Sequence, residues 1–300
     1  MMNRRDFIQY TGMAAVAGSA PLAALAGESR PLPARPIPGT DEMMPIIGLG
    51  NSSSFRADDL SIACQLLDIF LDHGGRYIDV GGSSAFSVGK LGREKNASER
   101  LFLGNYVDPK DRSAMREDIA AIAEAQGKSA LDLVHTRNLQ EFRGQHDRYH
   151  ALKEEGLVRF IGIARSGEQY HEAIGKLIED GLVDFIQTNY SMLEPAAADR
   201  LLPLARDNGV AVNINRPFIN GDYFSIVGGQ ELPEWAAEFD CHSWAQFSLK
   251  FILAHPAVNC VLTETANPEH AVDNLGAGFG RLPDADMQQR MRRHIRGIAG

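Results

Sequence analysis

The chain has 300 residues, of which 44% are hydrophobic and 23% are charged, and its formal net charge is −9. That length allows one large domain or two small ones. Acidity spread along the chain argues against nucleic acid and anionic membranes as partners. The three cysteines, Cys64, Cys241 and Cys260, are far apart and odd in number. They therefore predict buried thiols rather than a disulfide framework or a zinc site.

The first 26 residues have the pattern of an export signal. Arg4 and Arg5 form a twin-arginine pair, and a weakly hydrophobic stretch rich in Ala and Gly occupies residues 10–25. We expect a Tat signal at 1–26 that is removed after Ala26, contact with the Tat translocase during export, and a periplasmic destination. The apolar stretch is shorter than the ~20 residues of a membrane span, so we expect no stable span in the mature chain. An uncleaved anchor is the alternative.

Four prolines in residues 27–42 predict an extended linker before a single domain at 43–300. In that domain, apolar runs with strand character alternate with amphipathic helical segments. The predicted strands are residues 46–50, 77–80, 101–103, 131–134, 158–163, 185–188, 210–214 and 259–262. The predicted helices are residues 58–72, 111–126, 146–155, 168–180, 196–208 and 244–254.

This alternation predicts the fold class. Strands separated by helices imply right-handed crossovers and a parallel sheet. Eight repeats of the unit favour an α/β protein with a closed (β/α)8 TIM barrel. A doubly wound sheet is the alternative, but residues 48–53 do not continue into the glycine pattern of a dinucleotide-binding turn.

Mostly polar residues stand at or just beyond the carboxyl ends of the predicted strands, where barrel enzymes keep their chemistry. The set comprises Asn51, Asp79, Ser84, Asn105, His135, Arg137, Arg165, Gln187, Asn189, Asn215, Arg216, Thr263 and Glu264. Such a ring predicts a binding mouth, although loops at strand ends are often polar simply because they meet water. His146 and His150, four residues apart on a predicted outer helix, are interpreted as surface histidines rather than a metal pair.

Several motifs in this order resemble the aldo-keto reductases. They are Asp79 near the end of the second predicted strand and residues 156–162, 184–191, 215–221 and 261–274. The resemblance covers about residues 38–283 and is closest to a branch with twin-arginine signals. It implies an aldo-keto-reductase-like barrel that reduces carbonyls with NADPH. In that family a Tyr gives the proton, a Lys paired with an Asp lowers the pKa of that Tyr, and a His orients the carbonyl.

Of these four groups the sequence keeps one. Asp79 matches the Asp, but Ser84 stands where the Tyr belongs, Tyr106 where the Lys belongs and Arg137 where the His belongs. His135 lies two residues before Arg137 and therefore on the same face of the strand. One interpretation is a rewired pair in which Arg137 lowers the pKa of Tyr106. The alternative is loss of the original chemistry.

The resemblance also assigns a cofactor site. Gln187 matches the residue that holds the nicotinamide amide, and Asn274 matches the Asn near the adenine. Asn215 replaces the aromatic residue that stacks on the nicotinamide, and Arg216 and Thr265 are assigned to the same site.

Three replacements oppose tight binding of NADPH. Ala164 and Arg165 replace the usual Ser-Asn pair that holds the carboxamide, Glu264 stands near the expected 2′-phosphate, and His270 stands where many relatives carry Arg. A carboxylate repels a phosphate, so NADP is penalised more than NAD.

Three functions therefore remain open. The first is a periplasmic, NAD(P)H-linked oxidoreductase of the aldo-keto reductase type acting on a carbonyl substrate. The second is a pseudoenzyme that binds a small-molecule ligand without redox chemistry. The third is a non-redox enzyme in which Asp79 or Glu264 is the base and Arg137 holds an anion.

Overall fold

The structure is a computed structural model that describes residues 30–107 and 115–300. The predicted Tat signal lies outside the described residues. The described part of the proline-rich segment is packed rather than extended as a free linker. Strand β1 (Ala34–Pro36) pairs antiparallel with β2 (Met43–Pro45), and Ile37 and Met44 are buried against the interior of the barrel. The hairpin thereby closes the amino-terminal end of the barrel.

Eight parallel strands form the barrel, so the predicted (β/α)8 fold is confirmed. Each predicted strand corresponds to an observed one. The barrel strands are β3 (Ile47–Leu49), β4 (Tyr77–Gly81), β5 (Phe102–Tyr106), β6 (Leu131–Thr136), β7 (Val158–Ala164), β8 (Phe185–Asn189), β9 (Ala211–Asn215) and β10 (Cys260–Thr263). Parallel pairing of β10 with β3 closes the sheet.

Helices cover the barrel, and one helix of six residues or more follows nearly every strand. In the described residues these are α1 (Ser61–Asp72), α2 (Ser83–Glu94), α3 (Met115–Gln126), α4 (Leu139–Glu154), α5 (His171–Glu179), α6 (Leu201–Asp207), α7 (Asp222–Val227), α8 (Trp244–Leu253), α9 (Pro268–Gly276) and α10 (Ala285–Ala299). None of the helices in the described ranges is long and apolar enough to cross a membrane.

Some observed helix boundaries differ from those predicted from the sequence. Helix α4 begins seven residues before the predicted start at 146, because the Asn138 side chain accepts a hydrogen bond from the Glu141 backbone N–H at 3.0 Å and caps the helix. The sequence analysis predicts no helix at α2, α7, α9 or α10. In α2, glycines interrupt the pattern. Gly89 is needed there: a Cβ atom would lie 2.6 Å from the Ala125 carbonyl oxygen, so α2 and α3 pack closely only without a side chain.

An ion-pair network connects strands near the amino-terminal end of the barrel. Asp132 on β6 is buried and lies 2.9 Å from Lys128 Nζ and 2.7 Å from Arg159 Nη1. Its Oδ2 also accepts a hydrogen bond from the Leu103 backbone N–H on β5 at 2.9 Å. Arg159 and Arg76 both pair with Glu42, which precedes β2. The network therefore joins the three barrel strands β5, β6 and β7 to the hairpin.

We predict that Asp132→Ala lowers the free energy of unfolding by about 3 kcal/mol, because it leaves the buried Lys128 ammonium without its carboxylate. Urea denaturation measures the change. Asp207→Ala is the control: the side chains of Asp207 and its partner Arg206 are 64% and 53% exposed, and its removal should change stability by less than about 0.5 kcal/mol. Equal effects of the two substitutions would contradict a buried, stabilising Asp132.

Candidate active site

Asp79 is the centre of the polar cluster inside the barrel. It is the third residue of β4, faces the interior and is 4% exposed. Gln187 Nε2 on β8 donates a hydrogen bond to Asp79 Oδ2 at 3.2 Å. His135 Nε2 on β6 lies 3.1 Å from Asp79 Oδ1, but the two atoms are not aligned as a hydrogen bond. One carboxylate thus draws side chains from three strands together.

Tyr106, the last residue of β5, completes the cluster. Its hydroxyl accepts a second hydrogen bond from Gln187 Nε2 at 2.9 Å. Its ring centroid lies 4.1 Å from that of His135, and the guanidinium carbon of Arg137 lies 3.9 Å from the centre of the Tyr106 ring. The structure therefore brings together five of the residues that the sequence placed in the site.

The proton on the Tyr106 phenol is held tightly. Burial raises the pKa of Tyr106 well above its ordinary value, and the neighbouring Asp79 carboxylate raises it further. Arg137 acts in the opposite direction, but the net shift of the pKa is upward. Arg137 therefore lowers the pKa of Tyr106 as expected, but desolvation and Asp79 outweigh its effect. At neutral pH the phenol is a protonated hydrogen-bond donor.

Ser84, one of the candidate catalytic residues, is fully buried in the first turn of α2. Its hydroxyl donates to the Gly81 carbonyl at 2.9 Å and accepts from the Gly81 N–H at 2.9 Å. The chain turns between these residues at Gly82, whose φ of 60° suits glycine. Ser84 fixes the turn after β4 instead of meeting a ligand.

The nicotinamide half of the expected cofactor site is polar. Gln187 Oε1 is buried and has no hydrogen-bond partner among the described residues, so it is a free acceptor aimed into the site. Asn215 at the end of β9 accepts a hydrogen bond from Ser166 Oγ at 2.8 Å. Arg165 donates to the Tyr170 hydroxyl at 2.5 Å and stacks on its ring. Gln187 therefore offers an unused acceptor, and polar groups stand where the resemblance expects an aromatic stacking surface.

The remaining candidate cofactor residues lie beyond β9 and β10, two strands that pair in the barrel. Arg216, with a φ of 51°, places Nη2 at 3.7 Å from Glu194 Oε1. The Thr265 carbonyl accepts from Ser52 Oγ at 2.9 Å. Asn274 is buried on α9. Glu264 stays open to solvent, yet the protein around it raises the pKa of its carboxyl through desolvation.

Sequence reasoning missed two polar residues deeper in the barrel. Asn213 on β9 and Tyr77 on β4 are completely buried. Burial raises the pKa of Tyr77 well above its ordinary value, and a hydrogen bond with the Asn213 side chain acts in the opposite direction. Each stands two residues before a predicted site residue, Asp79 or Asn215, so strand alternation could have found both.

No model of a known protein family matches the chain. Over 207 residues it is 28% identical to the NADH-specific methylglyoxal reductase of Escherichia coli (strain K12), a match that covers 58% of this chain and 62% of that protein. The alignment thus spans less than two thirds of the relative's length.

Solved structures resemble the chain more completely. An aldo-keto reductase from Bacillus halodurans in its holo form has a TM-score of 0.70 at 18% identity, covering 90% of this chain and 97% of that one. An aldo-keto reductase from Klebsiella pneumoniae in complex with NADP and acetate has a TM-score of 0.68 at 19% identity, covering 86% and 93%. At these identities the likeness establishes that the fold is that of the aldo-keto reductases.

The environment of Tyr106 predicts its titration. Subtracting the phenolate absorbance of Tyr106→Phe from that of the native protein isolates the ionisation of Tyr106. That ionisation should occur above the ordinary phenol pKa of about 10. Arg137→Gln should raise the pKa of Tyr106 further, because it removes the charge that favours the phenolate. Ionisation of Tyr106 below pH 10, or no response to Arg137→Gln, would contradict the described electrostatics.

Proposed function

We propose that this protein is a nicotinamide-dependent oxidoreductase of the aldo-keto reductase type that reduces a carbonyl compound and favours NADH. The observation that carries the proposal is the buried, unpartnered Gln187 Oε1 beside the protonated hydroxyl of Tyr106. The first is an acceptor suited to an amide N–H, and the second is a proton donor. The same Gln187 amide donates through Nε2 to the Tyr106 hydroxyl, so the acceptor and the proton donor are neighbours.

Each residue of the site has a distinct role in the proposed reaction. A bound nicotinamide supplies a hydride to the carbonyl carbon. Gln187 would hold the carboxamide, and Tyr106 would give its phenolic proton to the carbonyl oxygen. Arg137 then stabilises the phenolate that remains, because its positive charge lowers the pKa of Tyr106. Asp79 keeps Gln187 in place.

The preference for NADH rests on charge. Glu264 stands where the resemblance puts the 2′-phosphate, and Glu269 adds a second carboxylate in the first turn of α9. Both side chains are exposed, and His270 replaces an expected Arg. Carboxylates repel a phosphate, whereas NADH has a hydroxyl at that position. The NADH specificity in the name of the Escherichia coli relative supports the same preference.

A second candidate function is ligand binding without hydride transfer. It is favoured by the raised pKa of Tyr106, whose burial opposes loss of the proton. In this alternative the same mouth holds a small polar ligand through Arg137 and Gln187, and the protein is a pseudoenzyme. Binding of a nicotinamide cofactor distinguishes the two functions.

We further propose that the protein is exported to the periplasm by the Tat translocase. The twin arginines Arg4 and Arg5 and the weakly apolar stretch behind them support this proposal. The Tat route carries folded proteins, so a cofactor could be bound before export.

We predict that NADH binds about tenfold more tightly than NADPH, since the 2′-phosphate lacks a charge-assisted hydrogen bond worth about 1.5–3 kcal/mol. Calorimetric titration of protein purified from cytoplasm measures both affinities. Glu264→Lys should reduce the difference in affinity between NADH and NADPH. Glu154→Lys, an equal change of charge at the exposed end of α4, should not.

Two outcomes would contradict this assignment. Dissociation constants above about 1 mM for both cofactors would exclude the oxidoreductase and leave the pseudoenzyme. Equal affinities, unchanged by Glu264→Lys, would exclude the proposed NADH preference alone.

Replacing Arg4 and Arg5 together by Lys should abolish export and leave the protein in the cytoplasm, because the translocase reads the arginine pair. Cell fractionation followed by immunoblotting measures the distribution. Arg30→Lys, beyond the predicted cleavage site, is the control and should be exported normally. Equal periplasmic yields of the double variant and the native protein would contradict Tat export.

A further inference from the structure

Arg137 is an exposed cation at the inner wall of the mouth. It follows β6, and its guanidinium carbon lies 3.9 Å above the centre of the Tyr106 ring. None of the ion pairs between described residues includes Arg137. The other mouth arginines are engaged: Arg165 donates to the Tyr170 hydroxyl at 2.5 Å, and Arg216 lies 3.7 Å from Glu194. Arg137 is thus positioned to receive an anion from outside the chain.

The stacking geometry decides what kind of anion fits. Arg137 also hydrogen-bonds the Tyr106 side chain. Its guanidinium has five N–H donors in a planar fork, so donors remain for a second partner. The fork matches the two oxygens of a carboxylate in a bidentate, charge-assisted pair. Asp79 does not compete for this role, because its carboxylate is buried and engaged by Gln187 and His135. A carboxylate on the substrate would therefore be bound at the edge of Arg137.

The position of Tyr106 then sets where the reacting group lies. Arg137 is above the ring of the same side chain whose hydroxyl would protonate the carbonyl. A carboxylate on Arg137 and a carbonyl at the Tyr106 hydroxyl would therefore lie beside two side chains that are in contact. A small molecule in which the carbonyl is bonded directly to the carboxylate carbon presents both groups together.

We infer that the substrate class is the 2-oxo acids and that Arg137 is the specificity-determining residue that selects them. The inference rests on the proposed function, since it names the carbonyl compound that the mouth accepts. It also accounts for the replacement of a carbonyl-orienting His by an Arg: the carboxylate, anchored beside the reacting group, takes over the orientation. A neutral carbonyl compound of the same shape lacks this anchor.

Two isosteric probes test the inference without turnover. Oxamate carries an amide carbonyl next to a carboxylate, oxamide replaces the carboxylate by a second amide, and neither accepts a hydride. Calorimetric titration of the full chain, with and without NADH, should show oxamate binding about tenfold or more tightly than oxamide, as a bidentate ion pair provides. Arg137→Gln should remove the difference, and Arg137→Lys should keep part of it.

Arg143→Gln is the matched control. It makes the same change of charge on α4, where Arg143 pairs with Asp180 at the surface, and it should preserve the selectivity for oxamate. Equal affinities of the native protein for both probes, binding of neither, or full selectivity in Arg137→Gln would each overturn the inference. Selectivity for oxamate in a protein that binds neither NADH nor NADPH would support the carboxylate site and contradict the proposed function alone.

Discussion

A carboxylate buried inside a closed barrel must be held by groups from other strands, because an unpaired charge there costs several kcal/mol. In this protein that carboxylate is Asp79. Gln187 donates to it at 3.2 Å and to the Tyr106 hydroxyl at 2.9 Å, while His135 lies 3.1 Å away. Four strands are thereby tied around one group. The orientation of the proton donor and of the free amide acceptor both depend on this contact.

The barrel could be predicted because its strands and most of its helices have distinct periodicities. All eight barrel strands were found, since buried parallel strands are continuous apolar runs. Helix α2 was missed because its apolar face includes Gly89, which is required by a backbone approach from α3 that only the folded chain shows. The hairpin of β1 and β2 was read as a linker, since its burial depends on the open end of a barrel that the local sequence does not contain.

The members of the site were more predictable than their roles. Strand alternation puts Tyr106 and His135 on the inner face, and the structure brings them within 4.1 Å. The direction of a hydroxyl is not encoded in alternation, so the bond of Ser84 to the turn at Gly81 could not be foreseen. The effect of Arg137 on the pKa of Tyr106 has the predicted direction, but it is outweighed by burial, which only the three-dimensional structure reveals.

The role of Tyr106 as proton donor is tested most directly by a single turnover of NADH-loaded protein with pyruvate, followed by the loss of NADH absorbance. Tyr106→Phe should bind NADH normally but slow the reaction by roughly 10²–10⁴-fold. Tyr190→Phe, which alters a phenol stacked on Phe251 at 5.5 Å, should react at the native rate. A native rate in Tyr106→Phe, or no oxidation of bound NADH by the native protein, would contradict the proposed chemistry.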